Sequence, residues 1–223
     1  MGPKDSNRKM KKLLALSWDS LQDRKLLSQS LKNGDIVVGT SDTVFGLLAT
    51  CSLQGKMALD STKKRSSKPY LMLVGGVKKV FNFIDTPVLR PELLELMEQC
   101  WPGPLTLILP VNPEIVRKGF LYTDTVAIRV PSHEGLQALL EEHEALFSTS
   151  ANISGFSVPD SLNELDPHIL NSVSLSVVDS KPPTKLSSTI INCSVYPYRL
   201  VRVGAYPLTK IQAILNNHLV SDS

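Results

Sequence analysis

The sequence predicts an α/β fold built on a twisted mixed β-sheet with flanking helices, and three observations carry that expectation. Short apolar runs rich in Val, Ile and Leu alternate with amphipathic segments of helical spacing. Three further strand-like runs crowd together near the C-terminus, beyond the alternation. No long linker, internal repeat or low-complexity block divides the chain, so 223 residues with 42% hydrophobic content are read as one domain with a sizeable core. The expected division is a basic N-terminal arm over 1–15 (Lys4, Arg8, Lys9, Lys11, Lys12), a single domain over 16–216 and a tail over 217–223.

The elements follow in order. Residues 20–34, "SLQDRKLLSQSLKNG", place apolar side chains at helical spacing and end in Asn-Gly, a helix stop. "DIVVGT" (35–40) reads as a buried strand. "LQGKMALDSTKKR" (53–65) reads as a short helix with a basic end, and "PYLMLVGG" (69–76) as a strand. "VLRPELLELMEQCW" (88–101) contains a helix closed by Pro-Gly-Pro. "LTLILPV" (105–111) and "TVAIRVP" (125–131) are strands, and "EGLQALLEEHE" (134–144) is an amphipathic helix. "SVSLSVVDS", "STIINCS" and "YRLVRVG" are the late strands, and "PLTKIQAILNN" is the closing helix.

Composition excludes several classes. A net charge of +3 does not by itself demand a nucleic-acid partner. Cys51, Cys100 and Cys193 are far apart and none belongs to a CxxC pair, which argues against a zinc site and fits reduced thiols inside a cell. No apolar run approaches the ~20 residues of a membrane span. The N-terminus lacks a long apolar core and a cleavage site, so it is not read as a secretory signal. Cytoplasmic localisation is the expectation.

Five stretches escape strand and helix logic. "GTSDTVFGL" (39–47) carries hydroxyl and carboxyl groups off a strand end, where α/β sheets present ligand-binding groups. On the local stretch alone it reads first as a loop into a short helix capped by Ser41 or Asp42. "KKRSSKP" (63–69) is either a phosphate cradle or a solvated basic helix end. Arg129 lies within a strand, on one face with Ala127 and Thr125, and needs an anionic partner. A protein carboxylate and a ligand serve that need equally. "FSTSANISG" (147–155) shows neither strand alternation nor helix stripe and reads as a polar loop. "KLSSTII" (185–191) sets hydroxyls just before a strand. Together they suggest a polar ligand bearing carboxylate and phosphate.

Seven segments, in order, resemble the motifs of the YrdC-like (TsaC) threonylcarbamoyl-AMP synthases: "TSDTVFGL", "KKRSSKP", "WPGPLTLIL", "TVAIRVPSH", "STSANISG", "SSTII" and "VRVG". The resemblance runs from about Leu31 to Gly204 and is to the short, single-domain form of the family. It implies a concave ligand cleft and a nucleotidyltransferase that makes L-threonylcarbamoyl-AMP and pyrophosphate from L-threonine, bicarbonate or CO2, and ATP with Mg2+. The product passes to a separate threonylcarbamoyl transferase complex that modifies adenosine 37 of tRNA. No protein nucleophile is implied, since the task is positioning and charge neutralisation. By the same resemblance, Thr43, Arg129, Ser148 and Ser188 would contact L-threonine. Lys63, Arg65, Lys68, Thr125, Ser150, Asn152 and Arg202 would contact ATP.

This chain departs from the family pattern in places. Thr40-Ser41 stands where the family has Pro-Thr, Phe45 stands for Tyr, and Arg65 to Lys68 is one residue short. "KPPTKLSSTI" (181–190) carries Lys where relatives often have Gly. A second class, an RNA-binding or ribosome-maturation factor of this fold with weak RNA contact, is permitted by the basic arm. It is opposed by an aromatic content of only 6% and by the lack of recognisable RNA-binding motifs.

Overall fold

The computed structural model describes residues 13–64, 69–117, 121, 123–179 and 186–221. The chain runs β1 (Leu14–Ser17), α1 (Leu21–Lys32), β2 (Val37–Gly39), β3 (Gly46–Thr50), α2 (Leu53–Lys63), β4 (Leu71–Leu73), α3 (Val77–Val80), α4 (Pro91–Cys100) and β5 (Leu105–Pro110). It continues through α5 (Pro113–Arg117), β6 (Thr125–Arg129), α6 (Glu134–Glu142), β7 (Leu146–Ser150), α7 (Pro167–Ser172), β8 (Leu175–Val178), β9 (Thr189–Asn192), β10 (Tyr198–Arg202), α8 (Leu208–Leu215) and β11 (Leu219–Ser221). Helix starts follow local chemistry. Ser20 and Ser52 cap α1 and α2 by accepting from Asp23 N–H and Gly55 N–H, and Pro91 opens α4.

The strands form one sheet in the order β1-β8-β2-β3-β7-β4-β6-β5-β9-β10-β11. It is mixed as expected: β4 pairs parallel with β6, whereas β7 pairs antiparallel with both β3 and β4. Period-two alternation sorts its residues between two apolar layers. Val38, Leu47, Met72 and Phe147 face a large core that also takes Leu59 of α2, Leu96 of α4 and Ile211 of α8. Val37, Leu48, Leu73 and Leu146 face a smaller core with Leu27 and Leu31 of α1 and Leu136 and Leu140 of α6. The second face also carries an open cleft.

Two readings of polar stretches are corrected. "FSTSANISG" is not a loop throughout, because Ser148, Thr149 and Ser150 belong to β7, near the middle of the sheet. Ser148 pairs with Leu48 on one side and Leu71 on the other. A second polar stretch hides β3: "GTSDTVFGL" leads into a strand rather than a short helix. The alternation is disguised because one face of β7 meets a core and then a polar cleft, reading Leu146, Ser148, Ser150. At the ends, β1 begins at Leu14, and Leu219–Ser221 pair parallel with β10 inside the segment read as a tail. The basic side chains of the arm lie outside the described residues.

Candidate functional site

The cleft encloses about 640 Å³ and opens on the sheet face bounded by α6. Its floor follows from strand periodicity: Gly46 and Leu48 of β3, Ser148 and Ser150 of β7, Leu71 and Leu73 of β4, Ala127 and Arg129 of β6. Thr106, Ser188 and Arg202 form one wall, and Thr40, Ser41 and Thr43 form another. A volume in this range is typical of small-molecule sites.

Arg129 is 2% exposed, and its Nη1 donates to Asp42 Oδ1 at 2.7 Å. Asp42 is fixed in turn by Ser132, whose N–H and hydroxyl both donate to Oδ2 at 3.1 Å. Burial pushes the Asp42 carboxyl up, but the Arg129 charge and these hydrogen bonds outweigh it and hold the group below its ordinary value. The protein-carboxylate partner foreseen for the strand arginine is therefore present. It does not exhaust the guanidinium, because Arg129 Nε is buried with no hydrogen-bond partner among the described residues. A buried N–H without an acceptor is costly, and in a residue that lines the cleft it is a feature to be explained.

Ser188 Oγ lies 2.8 Å from Thr106 Oγ1, and Arg202 donates to the Ser188 carbonyl through Nε at 3.1 Å and Nη2 at 2.9 Å. Gly204 packs against this wall. A Cβ there would sit 2.2 Å from Ser187 O and 2.4 Å from the Ser188 carbonyl carbon, so no larger residue fits the close approach. On the opposite wall, Ser41 Oγ lies 3.2 Å from Thr43 Oγ1 and donates to Val44 O at 2.9 Å.

The end of β7 is held from behind by Lys63. This side chain is 1% exposed, and its ammonium donates to Ser150 O at 2.6 Å, to Asn152 Oδ1 at 3.0 Å and to Asn152 O. Asn152 Oδ1 also accepts from Ser150 Oγ at 2.5 Å, and its Nδ2 donates to Phe156 O. Lys63 thus addresses the loop's carbonyls, because burial obliges an ammonium to find oxygens nearby. Asn152 is likewise engaged within the loop.

Of the residues singled out in the sequence, Thr43, Arg129, Ser148, Ser150, Ser188 and Arg202 converge on the cleft. Lys63 and Asn152 stand behind it. Thr125 lines a small neighbouring pocket with Tyr70, Leu121 and Phe147, which meets the cleft at Pro69. Arg65 and Lys68 lie outside the described residues. Phe45 is buried at 2%, where an apolar ring needs no partner for a hydroxyl. Sequence reasoning missed Asp42 as the arginine's partner, and Ser132, Thr106 and His133. The polar Thr106 in an otherwise apolar strand was the one available signal.

Such a fold and site define an α/β protein with a cleft on one face of its sheet, lined by hydroxyls and by Arg129 and Arg202. The chain belongs to the Sua5, YciO and YrdC family, whose model, described as "Telomere recombination", matches residues 29–204. It is similar to the threonylcarbamoyl-AMP synthase of Pyrococcus abyssi, 29% identical over 195 residues, covering 83% of this chain and 55% of that protein. The match thus spans about half of that relative's length. The structure of P. abyssi Sua5 complexed with L-threonine superposes with a TM-score of 0.76 at 25% identity, covering 92% of this chain and 61% of that one. The Escherichia coli YciO structure gives 0.75 at 19% identity, covering 91% and 100%, and supports the fold alone.

Proposed function

We propose that this chain is an L-threonylcarbamoyladenylate synthase, a nucleotidyltransferase that joins L-threonine, bicarbonate or CO2, and ATP. The observation that carries the reading is the buried, partnerless Nε of Arg129 at the cleft, a charged donor suited to the carboxylate of an amino acid. It accords with the name of the Pyrococcus relative and with the threonine complex of P. abyssi Sua5. The amine of threonine attacks the carbon of CO2 and loses a proton, giving a carbamate. A carbamate oxygen then attacks the α-phosphorus of ATP, and the bond to pyrophosphate breaks. No protein atom is bonded covalently, so the protein's part is to hold two anions in line and stabilise the charge that builds.

In this reading Arg129 takes the amino-acid carboxylate, with Thr43, Ser148 and Ser188 around the rest of threonine. Ser150 and Arg202 face the nucleotide, with Thr125 at the neighbouring pocket; for Arg65 and Lys68, outside the described residues, the phosphate role is the one the family resemblance implies. Lys63 and Asn152 shape the phosphate side through the loop. Mg2+ would arrive on ATP and be held largely by its phosphates, the usual mode for this ion. Among the described residues no three His, Cys, Asp or Glu side chains cluster as a metal site. The product would pass to a tRNA-modifying threonylcarbamoyl transferase complex. The cytoplasm is the proposed setting; among the described residues no helix is long and apolar enough to cross a membrane. Pyrophosphate release with each reactant omitted in turn tests the reading: release equally fast without threonine would sink it.

A further inference from the structure

Thr40 lines the cleft, yet its hydroxyl proton is already committed. Its Oγ1 donates to Asp179 Oδ2 at 2.6 Å and accepts from Asp179 N–H at 2.9 Å. Its carbonyl accepts from Trp18 Nε1 at 3.2 Å. Asp179, just past β8, is shared, since both its oxygens lie 2.9 Å from His133 Nε2. His133 Nδ1 accepts from Leu136 N–H at 3.1 Å and so caps α6. An imidazole that accepts at Nδ1 carries its proton at Nε2, and it therefore donates to Asp179. Trp18 packs edge-on against the same ring, with centroids 5.2 Å apart.

The residue before His133 is Ser132, which donates twice to Asp42. One short turn between β6 and α6 thus grips the β2–β3 loop at two points, at Thr40 through Asp179 and at Asp42 directly. Ser41 lies between those points, and Thr43 follows the second. None of this is needed to close the sheet, because Val37, Val38 and Gly39 already pair with β3 and β8.

We propose that Asp179 and His133 are positioning residues for the amino-acid substrate: acting through Thr40, they latch the β2–β3 loop so that Ser41 and Thr43 face the threonine side of the cleft. The inference rests on the reading of the cleft as a synthase site. The latch uses a hydroxyl that proline, the family residue at position 40, would not supply, so it belongs to this chain's own sequence.

Three variants of the full-length protein test it. Thr40→Val keeps the branched shape and removes the hydroxyl. His133→Asn keeps a helix-capping acceptor but removes the Nε2 donor. Thr40→Ser restores the hydroxyl. The first two are expected to raise KM for threonine on the order of tenfold, the fold-change of one lost hydrogen bond, with KM for ATP unchanged. Thr40→Ser is expected to keep the wild-type values. A latch with only a structural role would lower the melting temperature and shift both KM values together; that result, or an unchanged threonine KM in both variants, overturns the proposal. Nitrogen NMR of His133 reads the latch without turnover. A proton on Nε2 that is perturbed in Thr40→Val supports it, and a proton on Nδ1 refutes it. A wild type without threonine-dependent turnover would refute the synthase reading, and the proposal with it, even where the His133 signals show the latch formed.

Discussion

Arg129 Nη1 donates to Asp42 Oδ1 at 2.7 Å, while the Nε of the same guanidinium is buried and partnerless. Support from a protein carboxylate and recognition of a ligand carboxylate are therefore compatible roles for one side chain. Asp42 and Ser132 hold the fork in place, and the Nε edge is the one proposed to meet the ligand. Such pre-orientation lowers the ordering cost of binding.

Arg129→Ala is expected to do two things at once. It leaves Asp42 largely buried without its cation, which typically costs about 3–5 kcal/mol of stability. It also removes the ligand's partner, typically about 2–5 kcal/mol of binding. The double variant Asp42→Asn/Arg129→Met separates them. It should recover much of the melting temperature while threonine affinity, measured by titration calorimetry, stays weak. Wild-type affinity in the double variant would make the arginine purely structural. Arg129→Lys should not restore affinity, since an ammonium cannot make two parallel bonds.

The pair also sets a pH dependence. The native Asp42 carboxyl is held below its ordinary 3.8, so its contribution to stability is fully present above that pH and is lost as pH falls through the lower native value. Urea unfolding followed from pH 7 downwards should show this acid-side loss in the wild type and a smaller one in the double variant. Equal acid sensitivity of the two proteins would contradict the assignment.

Much of this was legible in the sequence, and the failures share a cause. Helices α1, α4 and α6 stood out because apolar spacing, capping residues and Pro or Gly punctuation agreed locally. β7 did not, because its residues 148–150 are polar strand positions lining a cleft, and a pattern of buried and solvated faces does not describe a strand that passes from a core into an open cleft. β3 was hidden for a related reason: the Thr-Ser-Asp-Thr run before it resembles a helix cap. Arg129 was flagged by being charged inside an apolar strand, but its partner Asp42 lies 87 residues away, and no local rule connects them. Lys63 was flagged as a cation; its burial against the Ser150–Asn152 carbonyls is a tertiary fact.

Lys63→Met should loosen the loop after β7. Three oxygens lose a charged donor, with an expected cost of about 1–3 kcal/mol in stability. KM for ATP should rise more than KM for threonine, because Ser150 and the loop lie on the proposed nucleotide side. Lys63→Arg should not rescue, since the site is closed around an ammonium. Steady-state kinetics with each substrate varied, alongside thermal melts, decides the matter; an unchanged ATP KM would place the loop away from the nucleotide.

Selectivity among amino acids follows from the lining hydroxyls. Serine should be used less well than threonine by a limited factor, since one methyl group is worth about 1–3 kcal/mol. Valine should be rejected more strongly if Thr43 or Ser188 pairs with the substrate hydroxyl. Competition assays with the three amino acids give the ratios, and equal use of threonine and valine would remove that pairing.

The central claim is that the cleft joins threonine to carbon dioxide and then to the adenylyl group. Its most direct measurement is mass spectrometry of the product formed from ATP, Mg2+, L-threonine and carbon-13 bicarbonate by the purified chain. The expected result is threonylcarbamoyl-AMP carrying the labelled carbon, formed in step with pyrophosphate and absent when threonine is withheld. Pyrophosphate release without a labelled threonine adduct, or tight RNA binding with no adduct at all, would contradict it.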